Sequence, residues 1–460
     1  MPFINIVACD EKFGISKKKS IPWHHPDDLK FFKEKTINNV VIMGRLTYES
    51  LGRNLNDRVN CVISKTMENK NGVEIFKNPW ECVKWCIKYH KNKTFYVIGG
   101  GEIYKWFLDN NLIDEEYITM IEGDYKCDIF YTYNTYNTNV ISKRIKTFTS
   151  VDNKNTSNYK LRVHYIFHRK FINKEEKNML NTINYIINNG IIKKDRTGVG
   201  TLSSFGHNFR FDLTNNNFPL MTSRKLFFRG IFEELMFYIR GETDTKILSD
   251  KGINVWNDNT NRSFLDSRGL IDLPDGDMGH SYGFSFRHFG AEYMNCYTDY
   301  KGKGFDQLYY VINEIKNNPN SRRLIISLWE PNNMHRASLP PCLYQYQFYV
   351  SGGYLSCMMT QRSSDFILAG GWNVATGALF TYLIAYFTGY KPRELIWNIG
   401  DIHIYNNGID SALAQVKRTP NIYPKLFLKN MPFRIEDVKY ENVEIINYNP
   451  QSNISVPMNA

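Results

Sequence analysis

A cysteine that follows two prolines, Cys342, is the side chain in this sequence best suited to nucleophilic chemistry. The arginines that could act with it lie far apart in the chain: Arg196, Arg322, Arg323 and Arg362. Guanidinium groups that converge on a thiol lower its pKa and bind a dianion such as a phosphate. An isolated cysteine is more often a small, unreactive core residue. The pattern therefore predicts a thiolate beside a phosphate site only if the fold brings these residues together.

Turns that contain glycine or cations occur in the first third of the chain, after apolar runs typical of buried strands. These turns contain residues 44–45, 64–65 and 99–101. Backbone N–H groups at a strand-to-helix turn can bind a phosphate, although the glycine triplet lacks the spacing of the full dinucleotide fingerprint. Asp28, at the start of a predicted helix, could be only a favourable charge or a cap. The local pattern thus indicates phosphate binding and leaves the role of Asp28 open.

The composition is that of a globular protein, with 460 residues, 42% of them hydrophobic, and a formal net charge of +11. Such a charge attracts anionic small molecules, but nucleic acid is not an expected partner because the cations are scattered. Of the eight cysteines, only Cys82 and Cys86 are close together, one helical turn apart and not in a Cys-x-x-Cys arrangement. We therefore expect no metal and a reducing, cytoplasmic location. No signal-like segment or membrane-spanning apolar run is found.

The chain divides into two predicted domains, residues 1–170 and residues 174–460, with almost no linker between them. In the first, short apolar strands alternate with helices, such as the strand at residues 3–9 and the helix at residues 27–35. Strand–glycine–helix repetition predicts an α/β domain with a mostly parallel, twisted sheet and flanking helices. Helical sequence resumes near Lys174 and begins the second domain.

The first domain resembles dihydrofolate reductase along essentially all of residues 3–169. The segments that carry this resemblance are Val7–Cys9, Gly14-Ile15, Ile21–Trp23, Asp28, Phe31-Phe32, Val41–Arg45, Thr47–Ser50, Arg58, Ser64, Ile98–Gly101 and Tyr104. The resemblance implies reduction of dihydrofolate with NADPH. Asp28 would then be the carboxylate of an apolar pterin pocket, where burial raises its pKa towards neutrality and suits it to proton transfer.

The same resemblance implies two sets of binding residues in this domain. The folate would contact Asp28, Ile6, Phe32, Arg58 and Thr119. Among these, Arg58 would pair with the carboxylate of the folate's glutamate tail. NADPH would contact the phosphate-binding turns and their neighbours: Ala8, Ile15, Gly44, Arg45, Thr47, Ser64, Lys65, Gly99, Gly100, Gly101, Glu102 and Ile103.

The second domain resembles thymidylate synthase from about Glu175 to Ala460, which implies an α+β fold and a homodimer. The motifs that carry this resemblance include Asp195–Thr201, Phe218-Pro219, Glu234-Leu235, Val255-Trp256, Tyr282-Gly283, Leu339–Cys342, Gln361–Asp365, Asn373 and Gly400–Tyr405. The implied reaction methylates dUMP to dTMP with 5,10-methylenetetrahydrofolate. A thiolate that adds to the 6-position of uracil makes an enolate, which attacks the methylene carbon of the folate. Cys342 would be that thiolate.

The resemblance also implies roles for the residues around this nucleophile. The nucleotide would be bound by Arg196, Arg362, Ser363, Asn373, His403 and Tyr405, with Arg322 and Arg323 contributed by the other subunit of the dimer. Arg362 would also lower the pKa of the thiol. Glu234 would move protons and organise water, and Tyr282 would help to remove the proton at the 5-position. The folate would contact Trp256, Asn259, Asp365 and Ala460, the last residue of a C-terminal lid.

Two other functions stay open at this point. A hydroxymethylase that acts on a cytosine nucleotide uses the same thiolate chemistry, but it favours an acid where this chain has Asn373, whose amide suits uracil. An RNA-binding regulator is supported only by the basic composition, with a pI of about 9.0. Two departures from the synthase pattern, Leu343 and Trp372, predict altered rates or inhibitor affinity but not loss of the reaction.

Overall fold

The computed structural model describes residues 2–132, 140–151 and 161–459, and it divides the chain into two compact units. One unit extends to Lys174 and the other begins at Glu175. In the described ranges, no helix is both long enough and apolar enough to cross a membrane.

The first unit is built on a mostly parallel β-sheet. Its strands are β1 (Phe3–Asp10), β2 (Gly14–Ser16), β3 (Val40–Gly44), β4 (Val59–Ile63), β5 (Val73–Phe76), β6 (Phe95–Gly99), β7 (Glu115–Ile121), β8 (Ile129–Phe130), β9 (Val140–Val151) and β10 (Leu161–Phe171). The main sheet has the order β5-β4-β3-β6-β1-β7-β10-β9, and β2 pairs with β8. All neighbours in the main sheet are parallel except β10, which is antiparallel to both β7 and β9. The predicted α/β fold is therefore confirmed.

The helices that accompany this sheet begin in two different ways. They are α1 (Pro26–Thr36), α2 (Arg45–Leu51), α3 (Pro79–Tyr89) and α4 (Gly101–Asp109). A proline occupies the first turn of α1 and of α3, after a side-chain cap from His25 or Asn78. Helices α2 and α4 instead follow glycines, Gly44 and Gly100, which have no side chain that could cap them. Their first backbone N–H groups are therefore available to a ligand.

The second unit is built on a six-stranded sheet. Its strands are β11 (Ile191–Lys193), β12 (Thr201–Asp212), β13 (Ile325–Ser327), β14 (Leu343–Ser351), β15 (Tyr354–Asp365), β16 (Lys391–Tyr405), β17 (Lys425–Leu428) and β18 (Val443–Ile446). The sheet has the order β11-β12-β16-β15-β14-β13, while β17 and β18 form a separate pair. Strands β15 and β16 are parallel, and the other neighbours are antiparallel. Since β14 begins directly after Cys342, the sheet determines where this cysteine lies.

Helices of very different burial accompany this second sheet. They are α5 (Lys174–Asn189), α6 (Phe228–Arg240), α7 (Lys246–Ser249), α8 (Asn257–Thr260), α9 (Arg262–Ser267), α10 (Tyr282–Arg287), α11 (Gln307–Asn317), α12 (Gly370–Thr388) and α13 (Ile409–Val416). Both α6 and α12 are buried along almost their whole length, which is typical of helices inside a large domain. The combination of a mainly antiparallel sheet with helices confirms the predicted α+β domain.

Candidate active sites

Asp28 lies in the first turn of α1, within hydrogen-bonding distance of β7. Its Oδ1 atom accepts a 2.5 Å hydrogen bond from the hydroxyl of Thr119, which is buried on β7. Burial raises the pKa of Asp28 above its usual value, and the Thr119 hydroxyl and the charge of His25 partly oppose this shift. A carboxyl group with a raised pKa suits proton transfer near neutral pH.

The side of α1 that carries Asp28 continues along the helix at intervals of one turn. Phe32 and then Thr36 follow it, four residues apart. Arg58 reaches the end of this row, where its Nε donates a 2.8 Å hydrogen bond to the Thr36 hydroxyl. Its guanidinium carbon lies 5.9 Å from the centre of the Phe32 ring. Phe32 packs against an apolar cluster that contains Ile6. Along this side of α1, the carboxylate of Asp28 is therefore followed by the ring of Phe32 and then by the guanidinium of Arg58.

The N-termini of α2 and α4 lie next to each other, at the ends of the paired strands β3 and β6. A Cβ atom added to Gly44 would lie 3.1 Å from Ile103 Cγ1 and 3.9 Å from the backbone nitrogen of Gly100. A Cβ atom added to Gly100 would lie 3.4 Å from Thr47 Oγ1. The glycines therefore keep two sets of backbone N–H groups close together and accessible, as the binding of a pyrophosphate requires.

The other residues predicted to bind NADPH lie on the elements around these helix ends. A Cβ atom on Gly101 would lie 2.9 Å from Ile129 Cγ2 and 3.8 Å from Ile15 Cδ1, so β2 and β8 closely cover this turn. Arg45 forms an exposed 2.7 Å ion pair with Glu49, a contact too weak to prevent exchange for a phosphate. The remaining residues are Ala8 on β1, Gly99 at the end of β6, Glu102 in the first turn of α4, and Ser64 and Lys65 after β4.

Ser64 also has a local structural role, which the sequence pattern does not indicate. Its Oγ atom accepts hydrogen bonds from the backbone N–H groups of Thr66 at 3.2 Å and Met67 at 3.0 Å. The hydroxyl hydrogen can still be donated to an anion. Ser64 thus shapes the turn after β4 and also remains a candidate ligand for a phosphate.

In the second unit, Arg362 is the arginine that the fold places against the candidate nucleophile. Its Nη2 atom lies 3.7 Å from the Sγ atom of Cys342 and donates a 2.9 Å hydrogen bond to the carbonyl of Pro340. Its Nε donates a 3.0 Å hydrogen bond to the carbonyl of Pro341. Because β14 and β15 are neighbours, the backbone N–H of Arg362 also donates to the carbonyl of Cys342, at 2.8 Å. The guanidinium is therefore held beside the thiol by the proline turn itself.

The pKa of the Cys342 thiol is not lowered, although the nearby arginines predict a lowered value. Burial raises its pKa above the usual value, and this effect outweighs the opposing charges of Arg362 and Arg196. The charges of the two arginines lower the pKa of Cys342, but they do not bring it below its usual value. The thiol is therefore mainly protonated at neutral pH, and a proton must leave before the sulfur can attack a substrate.

Glu234 is buried on α6, where its carboxylate is bonded at both oxygens. Oε1 accepts a 2.8 Å hydrogen bond from Trp256 Nε1 and a 3.0 Å hydrogen bond from the Tyr238 hydroxyl. Oε2 accepts a 2.6 Å hydrogen bond from Trp372 Nε1. Burial raises the pKa of Glu234 above its usual value, and the hydrogen bonds from the three donors only partly oppose this shift. The carboxylate is thus fixed in orientation, which suits a group that relays protons.

Tyr282 lies between this carboxylate and Cys342. It lies at the N-terminus of α10, and its hydroxyl oxygen accepts a 2.9 Å hydrogen bond from the backbone N–H of Cys342. Its ring centre lies 4.9 Å from that of Tyr238 and 6.0 Å from that of Trp256, the two residues bonded to Oε1 of Glu234. Burial raises the pKa of Tyr282 further above its usual value. The phenol is therefore a neutral hydrogen-bonding group at physiological pH.

The residues predicted to hold the sugar and the base lie on β15, β16 and α12. In the parallel β15–β16 pair, Ser363 is opposite Asp401 and Asp365 is opposite His403. His403 Nδ1 lies 3.1 Å from Asp401 Oδ1, and the His403 ring centre lies 5.3 Å from that of Tyr405. Burial raises the pKa of Asp365, while His403 partly opposes this shift.

Three further predicted residues are placed as follows. Asn373 lies half-buried in the first turn of α12, Trp256 directly precedes α8, and Asn259 is buried in α8. Ala460 lies outside the described residues. The segment that precedes it contacts α13, where the hydroxyl of Ser411 donates a 2.7 Å hydrogen bond to the carbonyl of Ser455.

Arg322 and Arg323 lie at the opposite end of β14 from Cys342. They are exposed just before β13, and the next residue, Leu324, accepts a 2.9 Å hydrogen bond from the backbone N–H of Phe348. Phe348 is six residues beyond Cys342, which corresponds to about 20 Å along an extended strand. The two arginines therefore cannot contact Cys342 of the same chain.

Two contacts around Glu234 are not predicted from the sequence. Tyr238 follows Glu234 by one helical turn, so helical spacing could have indicated this contact. The sequence predicts Trp372 only as a departure from the family pattern, and this residue lies 138 positions from Glu234. No local pattern connects residues so far apart.

Comparisons with known proteins identify both units. The family model of thymidylate synthase matches residues 177–460, and that of dihydrofolate reductase matches residues 2–165. The chain is 38% identical to the bifunctional dihydrofolate reductase-thymidylate synthase of Paramecium tetraurelia, over 99% of this chain and 98% of that protein. The chain belongs to the bifunctional dihydrofolate reductase–thymidylate synthase family.

Relatives of the same name occur in distant organisms. Those of Zea mays and Leishmania amazonensis are 35% and 36% identical to this chain, with 98% and 99% of this chain covered and 96% and 95% of the relatives. Membership of this family confirms the predicted pair of enzyme activities, a dihydrofolate reductase and a thymidylate synthase. It does not favour the hydroxymethylase or the RNA-binding regulator.

Proposed function

We propose that this chain makes dTMP from dUMP and then regenerates the folate that the reaction consumes. In the synthase unit, 5,10-methylenetetrahydrofolate donates the carbon and the reducing equivalents and leaves as dihydrofolate. NADPH supplies the hydride for the reductase unit, which returns dihydrofolate to tetrahydrofolate. The observation that carries the proposal is the grouping of Cys342, Arg362, Tyr282 and Glu234 from four separate parts of the chain. This chemistry requires a thiol, an anion partner and a proton relay in one place.

Cys342 is the proposed nucleophile of the synthase reaction. Once its thiol has lost a proton, the sulfur bonds to C6 of uracil, and the electron pair of the C5–C6 double bond forms an enolate. C5 then bonds to the methylene carbon. Loss of the C5 proton breaks the bond from that carbon to the folate nitrogen and leaves an exocyclic methylene on the ring. A hydride from the tetrahydrofolate turns this methylene into the methyl group, the sulfur departs with the electrons of its bond to C6, and the folate leaves as dihydrofolate. Tyr282, bonded to the backbone at Cys342, is proposed to assist the loss of the C5 proton. Glu234 is proposed to relay protons to the folate.

The remaining synthase residues are proposed to position the two substrates. Arg196, Arg362 and Ser363 would bind the phosphate of dUMP, Asn373 the uracil edge, and His403 and Tyr405 the deoxyribose hydroxyl. The charges of Arg196 and Arg362 both act on the Cys342 thiol, which supports a phosphate site near the nucleophile. Trp256, Asn259, Asp365 and Ala460 would hold the folate. The amide of Asn373 offers the donor and the acceptor that the uracil edge needs, and it is not the acid that a cytosine-specific hydroxymethylase favours, so dUMP should react in preference to dCMP.

In the reductase unit, Asp28 and Thr119 are proposed to hydrogen-bond the pterin, while Ile6 and Phe32 pack on its rings. Arg58 would pair with the carboxylate of the glutamate tail, because its position beyond Phe32 on the same side of α1 suits the far end of the folate. The residues predicted for NADPH fit that molecule, because the N-termini of α2 and α4 offer adjacent N–H donors.

We also propose a homodimer formed by the synthase unit. A surface depression across its sheet is lined by Phe205, Tyr344, Arg362 and Asn398, and Phe205 is 81% exposed there. An exposed sheet face of this kind is typical of an interaction surface. In a two-fold dimer, Arg322 and Arg323 of one subunit could reach the phosphate site of the other. We propose in addition that the two domains comprise residues 1–170 and residues 174–460. We also propose that the protein is located in the cytoplasm, where a reactive thiol stays reduced.

Two substitutions should separate the two activities. Cys342→Ser should lower the synthase rate by about a thousandfold or more and leave dihydrofolate reduction unchanged. Asp28→Asn should lower the reductase rate by about a hundredfold and leave dTMP formation unchanged. The matched controls are Cys296→Ser, another half-buried cysteine, and Asp27→Asn, the exposed neighbour of Asp28. Full synthase activity in Cys342→Ser would contradict the proposed nucleophile.

Mixing two inactive variants tests whether the dimer shares its sites. Cys342→Ser lacks the nucleophile, and the double variant Arg322→Ala/Arg323→Ala lacks the arginines that we assign to the neighbouring site. In hybrid dimers, one of the two sites receives an intact cysteine and intact arginines. Equal mixing after subunit exchange should restore about a quarter of the wild-type synthase activity. No recovery, although exchange is demonstrated by mass spectrometry, would remove the proposed sharing.

A further inference from the structure

Three cysteine sulfurs meet in the interior of the reductase unit. Cys82 and Cys86 lie one helical turn apart on α3, and Cys61 lies on β4, against which that helix packs. Each of the three residues is 0% exposed. The Sγ atoms of Cys82 and Cys86 are 4.0 Å apart, and all three sulfurs lie within 4.8 Å of one another. Val62, which follows Cys61 and points to the opposite face of the sheet, belongs to the apolar cluster on the folate side.

We propose that this cysteine triangle binds a soft cation with three sulfur ligands, of which Cu(I) is the biological example. A cation bonded to three sulfurs in one plane at about 2.3 Å holds those sulfurs about 4.0 Å apart. Cys82 and Cys86 already have this separation. The sulfur of Cys61 would have to approach by less than about 1 Å, which a change in side-chain torsion can supply.

The ligand set favours Cu(I) over Zn(II), which thiolates also bind. Thiolates are soft ligands that bind both. Structural zinc takes four protein ligands, whereas this group contains three cysteines and, among the described residues, no His, Asp or Glu. A disulfide would use only two of the three sulfurs and would need an oxidant to reach a buried pair. A three-coordinate cation uses all three side chains.

Binding would connect β4 to α3 through the cation. Each thiol that coordinates gives up its proton to the solvent buffer. Strand β4 continues directly into Ser64 and Lys65, so the bound cation would also stabilise the turn that follows it. The sequence predicts no metal because Cys82 and Cys86 lack the usual ligand spacing. The third ligand, Cys61, comes from a strand 21 residues before Cys82. The inference does not depend on the proposed substrates, since none of the three cysteines is assigned to them.

The test uses the reduced, metal-free full-length protein, with Cys342→Ser as the background so that the reactive thiol cannot bind metal. Anaerobic titration with Cu(I), held by a competing chelator, should give about one tightly bound ion per chain. X-ray absorption should show three sulfurs at about 2.3 Å. At a free concentration a hundredfold above Kd, the melting temperature of the reductase unit should rise by about 5 °C or more.

Substitution of the ligands provides the decisive comparison. Cys61→Ala and Cys82→Ala should each weaken Cu(I) binding by about a hundredfold or more. The matched control is Cys357→Ala, which removes an equally buried cysteine from the synthase unit and should bind Cu(I) unchanged. If a ligand variant does not fold by circular dichroism, Cys86→Ser takes its place. Three results would overturn the proposal. These are unchanged Cu(I) binding in the ligand variants, uptake of four-coordinate Zn(II) in preference to Cu(I), and formation of a Cys82–Cys86 disulfide instead of a Cu(I) complex.

Discussion

Trp372 donates its indole N–H to Oε2 of Glu234 across 2.6 Å, although the two residues are 138 positions apart in the chain. The other carboxylate oxygen is bonded to Trp256 and Tyr238. The sequence resemblance predicts that Trp372 departs from the usual pattern of the synthase family. This departure therefore directly contacts the carboxylate proposed to relay protons.

Trp372→Phe should keep the aromatic ring and remove only the N–H donor. A hydrogen bond to a charged carboxylate contributes about 1.5–3 kcal/mol, and the loss of this one should raise the pKa of Glu234 further above its usual value. If the ionised form is the active one, kcat of the synthase reaction should fall about tenfold at neutral pH. The acidic limb of the pH–rate profile should move to higher pH.

Trp397→Phe is the matched control for that prediction. Its indole is buried in the same unit and donates a 2.6 Å hydrogen bond to the neutral amide of Gln361. Its loss should lower stability without moving the pH profile. An unmoved acidic limb in Trp372→Phe would show that this bond does not tune Glu234.

Thr119→Val should shift the pH dependence of the reductase. The hydroxyl that donates to Asp28 lowers the pKa of this carboxyl, so its removal should raise that pKa further. Activity that needs protonated Asp28 should then persist to higher pH than in the wild type. NADPH oxidation followed across neutral pH measures this shift. Thr182→Val, which removes a hydroxyl bonded to a backbone carbonyl in the other unit, should leave the profile unchanged.

Arg58→Ala should weaken the binding of folates that carry a glutamate tail. A bidentate bond between a guanidinium and a carboxylate contributes about 2–3 kcal/mol, which corresponds to a rise in KM for dihydrofolate of about 30- to 150-fold. Dihydropteroate, which lacks the glutamate, should bind the variant and the wild type equally. An equal loss for both compounds would mean that Arg58 acts only by packing against Phe32 and bonding Thr36.

Lys425→Met should stabilise the synthase unit. Lys425 is fully buried on β17, and within the described residues its Nζ atom has no hydrogen-bond partner. Burial lowers its pKa to about 7. Because this folded-state value lies below the unfolded one, the unfolded chain binds more protons between pH 7 and pH 10.5, and stability is lost as pH falls through that range.

The gain in the free energy of unfolding should therefore be largest near neutral pH, about 1–3 kcal/mol, and should disappear as pH approaches the usual pKa of lysine. Chemical denaturation at two pH values measures this difference. Lys429→Met, an exposed position near the same strand, should change little. A gain that is equal at both pH values would point to packing and not to the buried charge.

The sequence by itself determined the two units, their fold classes and the identity of the main chemical groups. Asp28, Cys342 and the glycine turns belong to local motifs, whose residues are neighbours in the covalent chain and can be compared directly with a family. The boundary near residue 174 could also be placed, because the residue pattern changes there from a strand to a helix.

The tertiary structure alone decided the electrostatics and the long-range contacts. The pKa of Cys342 depends on the balance between burial and the charges of Arg362 and Arg196, and no spacing in the sequence measures burial. The bond from Trp372 to Glu234 joins two helices that are far apart in the chain. Cys61 approaches Cys82 and Cys86 for the same reason, because packing of α3 on β4 sets distances that the order of residues does not encode.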